Sequence, residues 1–361
     1  MRHSLRPLFR GATVGVLALA ALWTPGGFPA AASAAPAAPE ANSLAFAQRY
    51  RARQHGGIVR AANSSISCVQ ASASSCSDVR AGGRGVNGDF DMFYIDIDRD
   101  ANTYNSSRAE VRLPNGSRVS YARLYWGGNL RVGEQKPPED NGRVLIAEPG
   151  GEYKEVLADT DVGHRVADGV DAFQASADVT RLVREGGAGQ YTVAQVNVAM
   201  GKSEAGAWGG WTLVVAYENP EEPLRHLAIW DGFTSLRSGG PEIRMEGVNF
   251  PAGAGGRAGL VAYDGDRGIN GDSLTLTTGA GSLALSDSAN PQDDVLNSTI
   301  TQPGSDPERV PAYANTLGYD SDVFDLGRGL QQAGDQVTFR LRSEQDAAWA
   351  GVLFVAVDAQ R

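Results

Sequence analysis

Apolar and polar residues alternate with a period of two along much of the chain, which is typical of β-strands with one buried face. Three runs show it best: residues 93–98, 121–126 and 337–342. We expect the apolar set to face a core and the polar set to face water. The apolar set is Phe93, Ile95, Ile97, Ala122, Leu124, Trp126, Val337, Phe339 and Leu341; the polar set is Tyr94, Asp96, Asp98, Tyr121, Arg123, Tyr125, Thr338, Arg340 and Arg342.

Two further runs, residues 211–217 and 350–357, are apolar at nearly every position. They predict central strands that are covered on both faces. The second is the last strand of the chain, so removing it should destroy the fold. One short helix is predicted from a cap at Asp178 to Arg184, ended by Gly186 and Gly187.

Evenly spaced turns and 45 glycines indicate an all-β fold over residues 80–361, an antiparallel β-sandwich or jelly-roll-like architecture. About 280 residues is large for one sandwich. Two fused sandwiches therefore remain an open alternative.

The N-terminus has the three parts of a secretory signal peptide, in order. Arginines at positions 2, 6 and 10 precede an apolar run over residues 12–23, and Ala32-Ser33-Ala34 follows. The apolar run is shorter than the roughly 20 residues of a membrane-spanning helix. We predict a signal peptide over residues 1–34, cleaved between Ala34 and Ala35. The mature chain, with no predicted membrane anchor, is expected to be secreted, free or held non-covalently at the cell wall.

Residues 35–79 are predicted to form an Ala/Pro-rich spacer and a cysteine loop. The spacer is expected to be mobile, with one helical turn over residues 43–53. Cys68 and Cys76 are the two cysteines of the chain. In an exported protein they predict a disulfide, which would close a short loop and stabilise by about 2–3 kcal/mol.

The charge balance is acidic. Without the three arginines of residues 1–34, the formal net charge goes from −10 to −13. Phosphate backbones and anionic lipids attract basic surfaces. We therefore expect neither nucleic acid nor an anionic membrane as the partner.

Three groups of acidic residues suggest Ca²⁺, the one cofactor that the sequence indicates. Alternate oxygen-bearing side chains are the ligands that Ca²⁺ loops use. The groups are Asp96, Asp98, Asp100 and Asn102; Asp264, Asp266, Asn270 and Asp272; and Asp320, Asp322 and Asp325. The first is not an EF-hand, because Ala101 and Ser107 replace its Gly and Glu. The alternative is that these carboxylates are solvated strand ends.

No catalytic residue is assigned. Gly271-Asp272-Ser273-Leu274 has the letters of an esterase motif, but no histidine follows Ser273 to act as its base. The four histidines are isolated, which disfavours zinc. A secreted hydrolase, a glycosidase or esterase using pairs of Asp carboxylates, stays as the alternative function.

Aromatic residues cluster before turns, at residues 125–128, 208–211 and 230–233. Side chains of this kind at strand ends are mostly core residues. The alternative is that exposed rings stack on sugars.

Six segments, taken in order, resemble an uncharacterised β-rich region of bacterial cell-surface and secreted proteins that usually precedes adhesin-like conserved repeats. They are residues 122–128, 209–220, 227–233, 265–274, 296–300 and 315–322. The resemblance covers about residues 85–358, and no such repeats follow here. It implies a surface or secreted, non-enzymatic role.

Together, these observations predict a secreted, non-enzymatic protein of the cell envelope or extracellular space, with a binding or structural role and Ca²⁺ as a stabilising ion. Its expected partner is an envelope glycan or protein of unidentified type.

Overall fold

The computed structural model describes residues 38–69, 75–167 and 169–361, and these residues form one compact unit. The predicted signal peptide and its cleavage site, Ala34–Ala35, lie outside the described residues. Antiparallel strands make up most of the regular structure, so the all-β prediction is confirmed.

The chain contains 21 strands and two short α-helices in its described parts. The strands are β1 (Glu40–Ala41), β2 (Leu44–Ser64), β3 (Ile66–Cys68), β4 (Met92–Tyr94), β5 (Ser106–Val111), β6 (Arg118–Asn129), β7 (Arg143–Ala147), β8 (Lys154–Leu157), β9 (Val162–Ala167), β10 (Val170–Asp178), β11 (Gly189–Ala194), β12 (Gly209–Glu218), β13 (Leu224–Ser235), β14 (Glu242–Phe250), β15 (Gly256–Tyr263), β16 (Ser273–Thr278), β17 (Gly281–Ala284), β18 (Arg309–Val310), β19 (Tyr319–Asp325), β20 (Gly334–Arg342) and β21 (Trp349–Asp358). The helices are α1 (Cys76–Arg80) and α2 (Thr180–Gly186).

The strands form four sheets. The largest has the order β1-β9-β10-β6-β12-β2-β13-β21-β15-β19, and only β1 and β9 run parallel in it. A five-stranded sheet has the order β18-β5-β11-β7-β8, and a four-stranded sheet has the order β14-β20-β16-β17. Strands β3 and β4 form a separate pair.

Strand β2 divides the largest sheet into two halves. Its residues 56–64 pair with β12, whereas residues 44–55 pair with β13. The change of partner occurs at Gly56, whose φ is +139°. A Cβ at this position would lie 1.9 Å from the carbonyl oxygen of Tyr217, so the backbones can approach only because residue 56 is glycine.

Three apolar cores separate four layers of sheet. The first core, with Leu124 and Trp211, lies between the β6–β12 half and the five-stranded sheet. The second, with Leu260 and Phe339, lies between the β13–β21 half and the four-stranded sheet. A third, aromatic core around Tyr263 packs the two halves against each other. The fold is therefore two fused β-sandwiches, the alternative that chain length left open.

The packing of two sandwiches explains which side chains of residues 121–126 are buried. Leu124 and Trp126 are buried as predicted. Arg123 and Tyr125, predicted to face water, are 2% and 0% exposed. The prediction of a wet face is wrong because the second sandwich covers it. The covered strands at residues 211–217 and 350–357 are confirmed as β12 and β21. Strand β20 is confirmed too, with Arg340 and Arg342 exposed, but Thr338, predicted to face water, is buried.

The predicted strand over residues 93–98 is mostly wrong. Strand β4 ends at Tyr94, and Phe93, expected in the core, is 40% exposed. The chain leaves the sheet because its aspartates bond to nearby backbone and hydroxyl groups, as in turns: Asp98 accepts the N–H of Asp100. Helix α2 is confirmed, and Asp178 accepts the N–H of Thr180 at its start.

The prediction of a mobile spacer with a helical turn is wrong for residues 44–64, because this segment is strand β2. Its outward side chains are long and charged, as at Arg51 and Arg53, which hid the alternation. The disulfide between Cys68 and Cys76 is confirmed. Both cysteines lie in the first core, not in an exposed loop.

One edge contact gives a pH prediction. His164 lies between two carboxylates, with Nδ1 2.7 Å from Glu40 Oε2 and Nε2 2.6 Å from Asp171 Oδ1. Burial opposes the charged ring, but hydrogen bonds to both carboxylates outweigh it and raise the pKa of His164 above 6.5. A raised folded-state pKa contributes stability in full below about pH 6.5, and this is lost as the pH rises through the folded value.

We therefore expect wild type to exceed His164→Gln in free energy of unfolding below pH 6.5, by about 1 kcal/mol or less, and the difference to shrink as the pH rises above 6.5. Urea unfolding of both proteins at several pH values measures it. Taking the difference between the two free energies of unfolding at each pH cancels the contribution of the other titrating groups, which both proteins share. A difference that grows with pH would contradict the assignment.

Candidate functional site

Six buried or half-buried aspartates meet at one end of the second sandwich. Their loops converge because the end of β15 lies beside the starts of β19 and β21, with Tyr263 opposite both Tyr319 and Trp349. We call this group the aspartate cluster: Asp264, Asp266, Asp272, Asp294, Asp320 and Asp346.

The loops around the cluster are held in unusual backbone conformations. Asp264, Ser298 and Leu317 have φ near +60°, which side-chain-bearing residues rarely adopt. The Ser298 hydroxyl donates to the carbonyl of Gly265 (2.6 Å) and accepts the N–H of Gly318 (2.7 Å). Strained residues that persist are held by their surroundings and often mark functional sites.

Several carboxylate oxygens of the cluster have no hydrogen-bond partner among the described residues. Asp272 is completely buried, and neither of its oxygens accepts a hydrogen bond of good geometry in the described residues, although the side chains of Ser343 and Asp346 lie close enough to lower its pKa. Asp320 is also completely buried; its Oδ1 accepts the N–H of Thr299 (3.1 Å), but its Oδ2 is unpartnered. One oxygen of Asp294 is unpartnered as well. Unpartnered buried acceptors are costly, so these oxygens require a ligand or a proton.

The raised pKa values of the cluster aspartates also show that their charged forms are poorly stabilised. Burial, with neighbouring carboxylates, raises the pKa of Asp272 to about 6, of Asp266 to about 7 and of Asp346 to about 9. Burial also raises the pKa of Asp264 and Asp320 well above the ordinary value. No ion pair within 4 Å joins a cluster aspartate to Arg, Lys or His in the described residues. Arg237 acts on Asp264, and Arg84 and Arg267 act on Asp294, only at longer range.

A cleft of about 680 Å³ opens beside the cluster. Asp264, Asp266 and Asp346 lie in its wall, together with Arg237 and Trp349. The backbone N–H of Asp266 donates to Asp346 Oδ2 (3.1 Å), which ties the two acidic loops together. The indole N–H of Trp349 has no partner among the described residues. The wall of the cleft therefore contains acidic side chains, and a buried donor without a partner lies behind it.

The structure brings together parts of two predicted Ca²⁺ groups. Asp264, Asp266 and Asp272 of the second group join Asp320 of the third. Asp322, the neighbour of Asp320 on β19, is also completely buried and raises the pKa of Asp320; it accepts hydrogen bonds from Thr299 and Thr301 through Oδ1, and its Oδ2 has no partner in the described residues. Asn270 instead donates to Asp293, and Asp325 is exposed. Sequence reasoning missed Asp294 and Asp346, because each is distant in sequence and lies in no acidic repeat.

The first predicted group is not part of the cluster. Asp96 accepts from Ser106, Asp98 accepts from Tyr153 and Thr103, and Asp100 accepts from Asn102. Most of these bonds lie within the loop itself, and the one from Tyr153 ties the loop to the segment before β8. In the described residues, no three His, Cys, Asp or Glu side chains converge as a metal site by themselves.

Ser273 begins β16 and follows Gly271, whose φ is +118°. The three histidines of the described residues have other surroundings: His55 contacts the carbonyl of Glu222, His164 contacts Glu40, and His226 Nε2 is buried without a partner. The described residues thus contain no esterase triad around Ser273. The aromatic clusters are core: Trp126, Trp208 and Trp211 are completely buried.

Comparison with known proteins adds little. No family model and no curated protein matches the chain. A structure of N-glycanase F (PNGase F) is similar over 84% of this chain and 96% of its own, with 10% identity and a TM-score of 0.21. PNGase F from Flavobacterium meningosepticum, titled a glycosylasparaginase, is similar over 74% and 95%, with 10% identity and a TM-score of 0.20.

A mutant VP2 protein of infectious bursal disease virus is similar over 89% of this chain and 72% of its own, with 10% identity and a TM-score of 0.18. Values this low carry no functional argument. No helix in the described residues is long and apolar enough to cross a membrane.

Proposed function

We propose that this chain acts outside the cell as a non-enzymatic binding or structural protein of the envelope, and that Ca²⁺ bound in the aspartate cluster stabilises its fold. The observation that carries the calcium part is the completely buried Asp272, whose two oxygens accept no hydrogen bond of good geometry in the described residues and which lies beside a second buried carboxyl, Asp346. The buried disulfide suits an oxidising compartment. The acidic balance of the chain disfavours nucleic acid and anionic lipid as partners.

Calcium fits the chemistry of the donors. Ca²⁺ takes six to eight oxygens in flexible geometry and accepts backbone carbonyls and water beside carboxylates. Asp272 and Asp346 lie close enough to shift each other's pKa, and Asp320 and Asp294 are near as well. Since no three acidic side chains converge by themselves, we propose that carbonyl groups and water complete the coordination.

Thermal unfolding in excess Ca²⁺ and in chelator tests this proposal. Ca²⁺ at about 100 times its dissociation constant should stabilise by about 2.7 kcal/mol, which raises the melting temperature by roughly 5 °C for a chain of this size. Asp272→Asn should abolish this shift. In chelator, the same variant should melt higher than wild type, because it removes a buried negative charge beside others.

Asp100→Asn is the matched control. It removes one aspartate of the first predicted group, which is exposed and bonded within its own turn. We expect it to keep the full Ca²⁺ shift. An unchanged melting temperature of wild type at saturating Ca²⁺, or an equal shift in Asp272→Asn, would refute the proposed site.

A hydrolase is the second candidate, favoured by one observation. Asp266 and Asp346 lie in the wall of the cleft, and burial raises their pKa values to about 7 and about 9. A carboxyl that is protonated at neutral pH can serve as a general acid in glycoside hydrolysis. Turnover of polysaccharide or ester substrates that disappears in Asp346→Asn, with the melting temperature retained, would replace the binding proposal.

The proposed partner is an envelope glycan or protein. Sedimentation of the purified protein with isolated cell walls measures this binding. The expected result is retention in the pellet that falls when wall polysaccharide is digested. A protein that only assembles with itself would instead sediment equally with and without walls.

A further inference from the structure

A second cleft, of about 560 Å³, lies away from the aspartate cluster and differs in charge. It opens where the second half of β2 approaches β15 and β19. Four arginines lie in its wall, against two acidic residues, Glu222 and Asp325. We call it the arginine cleft, after Arg60, Arg112, Arg225 and Arg257.

Two of these arginines already have acidic partners. Arg225 pairs with Glu222 and Asp358, both at 2.9 Å. Arg112 pairs with Glu110 at 2.8 Å. Their charges are therefore largely balanced within the protein.

The other two arginines, Arg60 and Arg257, have no close ion pair in the part of the chain that the structure describes. Arg60 is 2% exposed; its Nη2 donates to the carbonyl of Thr301 (2.7 Å), and its Nε has no partner in the described residues. In the described residues, no carboxylate forms an ion pair within 4 Å of Arg60 or Arg257. Asp322 and Asp306 act on Arg60 at longer range, and Asp325 stands opposite Arg257 on β19. A buried guanidinium with a free N–H is costly unless a ligand accepts from it.

The positive groups sit among apolar walls. Val59, Leu113 and Val323 contribute to the same cleft, beside Arg60. Small-molecule sites commonly have this volume and combine apolar walls with a few polar groups that orient the ligand. Arginine recognises carboxylate, phosphate and sulfonate through charge-assisted hydrogen bonds.

We propose that the arginine cleft binds an organic oxyanion, a carboxylate or phosphate carried by a small molecule with an apolar body. Arg60 contacts the oxyanion at the buried end and Arg257 contacts it at the rim, while the apolar walls cover the body. This site is independent of the calcium proposal, since it rests on different residues and on the opposite charge.

A pair of fluorescent compounds tests the proposal. Anilinonaphthalene sulfonate carries an anionic group on an apolar body, and N-phenyl-1-naphthylamine has the same body without the charge. The folded wild type should bind the sulfonate at one saturable site, at least about tenfold more tightly than the neutral compound. Inorganic phosphate should displace the sulfonate.

Arg257→Gln should weaken sulfonate binding by about tenfold and leave the neutral compound unaffected. Arg181→Gln, at a side chain 91% exposed on α2, is the matched control and should bind like wild type. Arg60→Met should weaken binding at least as much. If Arg60→Met does not fold, Arg257→Gln decides alone. Equal sulfonate affinity in wild type and Arg257→Gln, or equal affinity for the charged and neutral compounds, would overturn the proposal.

Discussion

A chain that begins at Ser65 should not fold. The deletion removes β2, which pairs with β12 along residues 56–64 and with β13 along residues 44–55. Both halves of the largest sheet would then have an unpaired inner edge, and the first and third cores would lose the β2 side chains Ala61 and Ala62. Buried strand edges without hydrogen-bond partners are not tolerated.

Expression followed by urea unfolding measures this effect, with a chain that begins at Ala35 as the matched control. The control should unfold cooperatively, and the shorter chain should be insoluble or unfold without a transition. A synthetic peptide of residues 38–64 should restore part of the folded signal by adding the missing strand. A chain from Ser65 that unfolds like the control would show that β2 is dispensable.

Asp231→Ala should cost about 3–5 kcal/mol in free energy of unfolding, the usual result of removing one partner from a buried ionic network. Asp231 is 5% exposed and accepts two hydrogen bonds from Arg49, each 2.8 Å long. It also accepts from the hydroxyl of Tyr125 (3.0 Å) and lies 3.6 Å from Nε of Arg123. Its removal leaves two guanidinium groups without the carboxylate between them.

Asp159→Ala is the matched control for this prediction. Asp159 also bonds to Arg123, at 2.5 Å, but its side chain is 43% exposed. Exposed ion pairs contribute about 0–1 kcal/mol, so the control should lose little. Urea unfolding of both variants gives the comparison. Losses of equal size in the two variants would show that burial of Asp231 does not matter.

The surroundings of Asp231 also explain why only one face of the strand at residues 121–126 was predicted correctly. Alternation correctly identified Leu124 and Trp126 as core residues. Arg123 and Tyr125 have the polar groups of a solvated face, yet they are buried, because their polar atoms meet Asp231 of β13 and Asp159 of the loop between β8 and β9. A period of two cannot indicate that a second sandwich covers the other face.

The aspartate cluster shows the same limit. Sequence patterns found Asp264, Asp266 and Asp272, because they recur within nine residues. Asp320 was assigned to a separate group, and Asp346 was not noticed. Only the pairing of β15 with β19 and β21 places these three loops together.

The sequence by itself determined those elements whose signal lies in neighbouring residues. Continuous apolar runs defined β12 and β21, strict alternation defined β20, and a cap and two glycines defined α2. The cysteine pair, eight residues apart, defined the disulfide. These features depend on residues close in the chain, so neighbouring side chains carry the signal.

Tertiary structure alone decided the rest. It turned an arginine-rich segment into the strand that joins two sandwiches, buried Arg123 and Tyr125, and placed Asp272 beside Asp346 and Asp320. Each of these outcomes depends on contacts between residues far apart in the chain. Burial and charge at such positions are set by the strands that pack against them, and no local pattern records which strands those are.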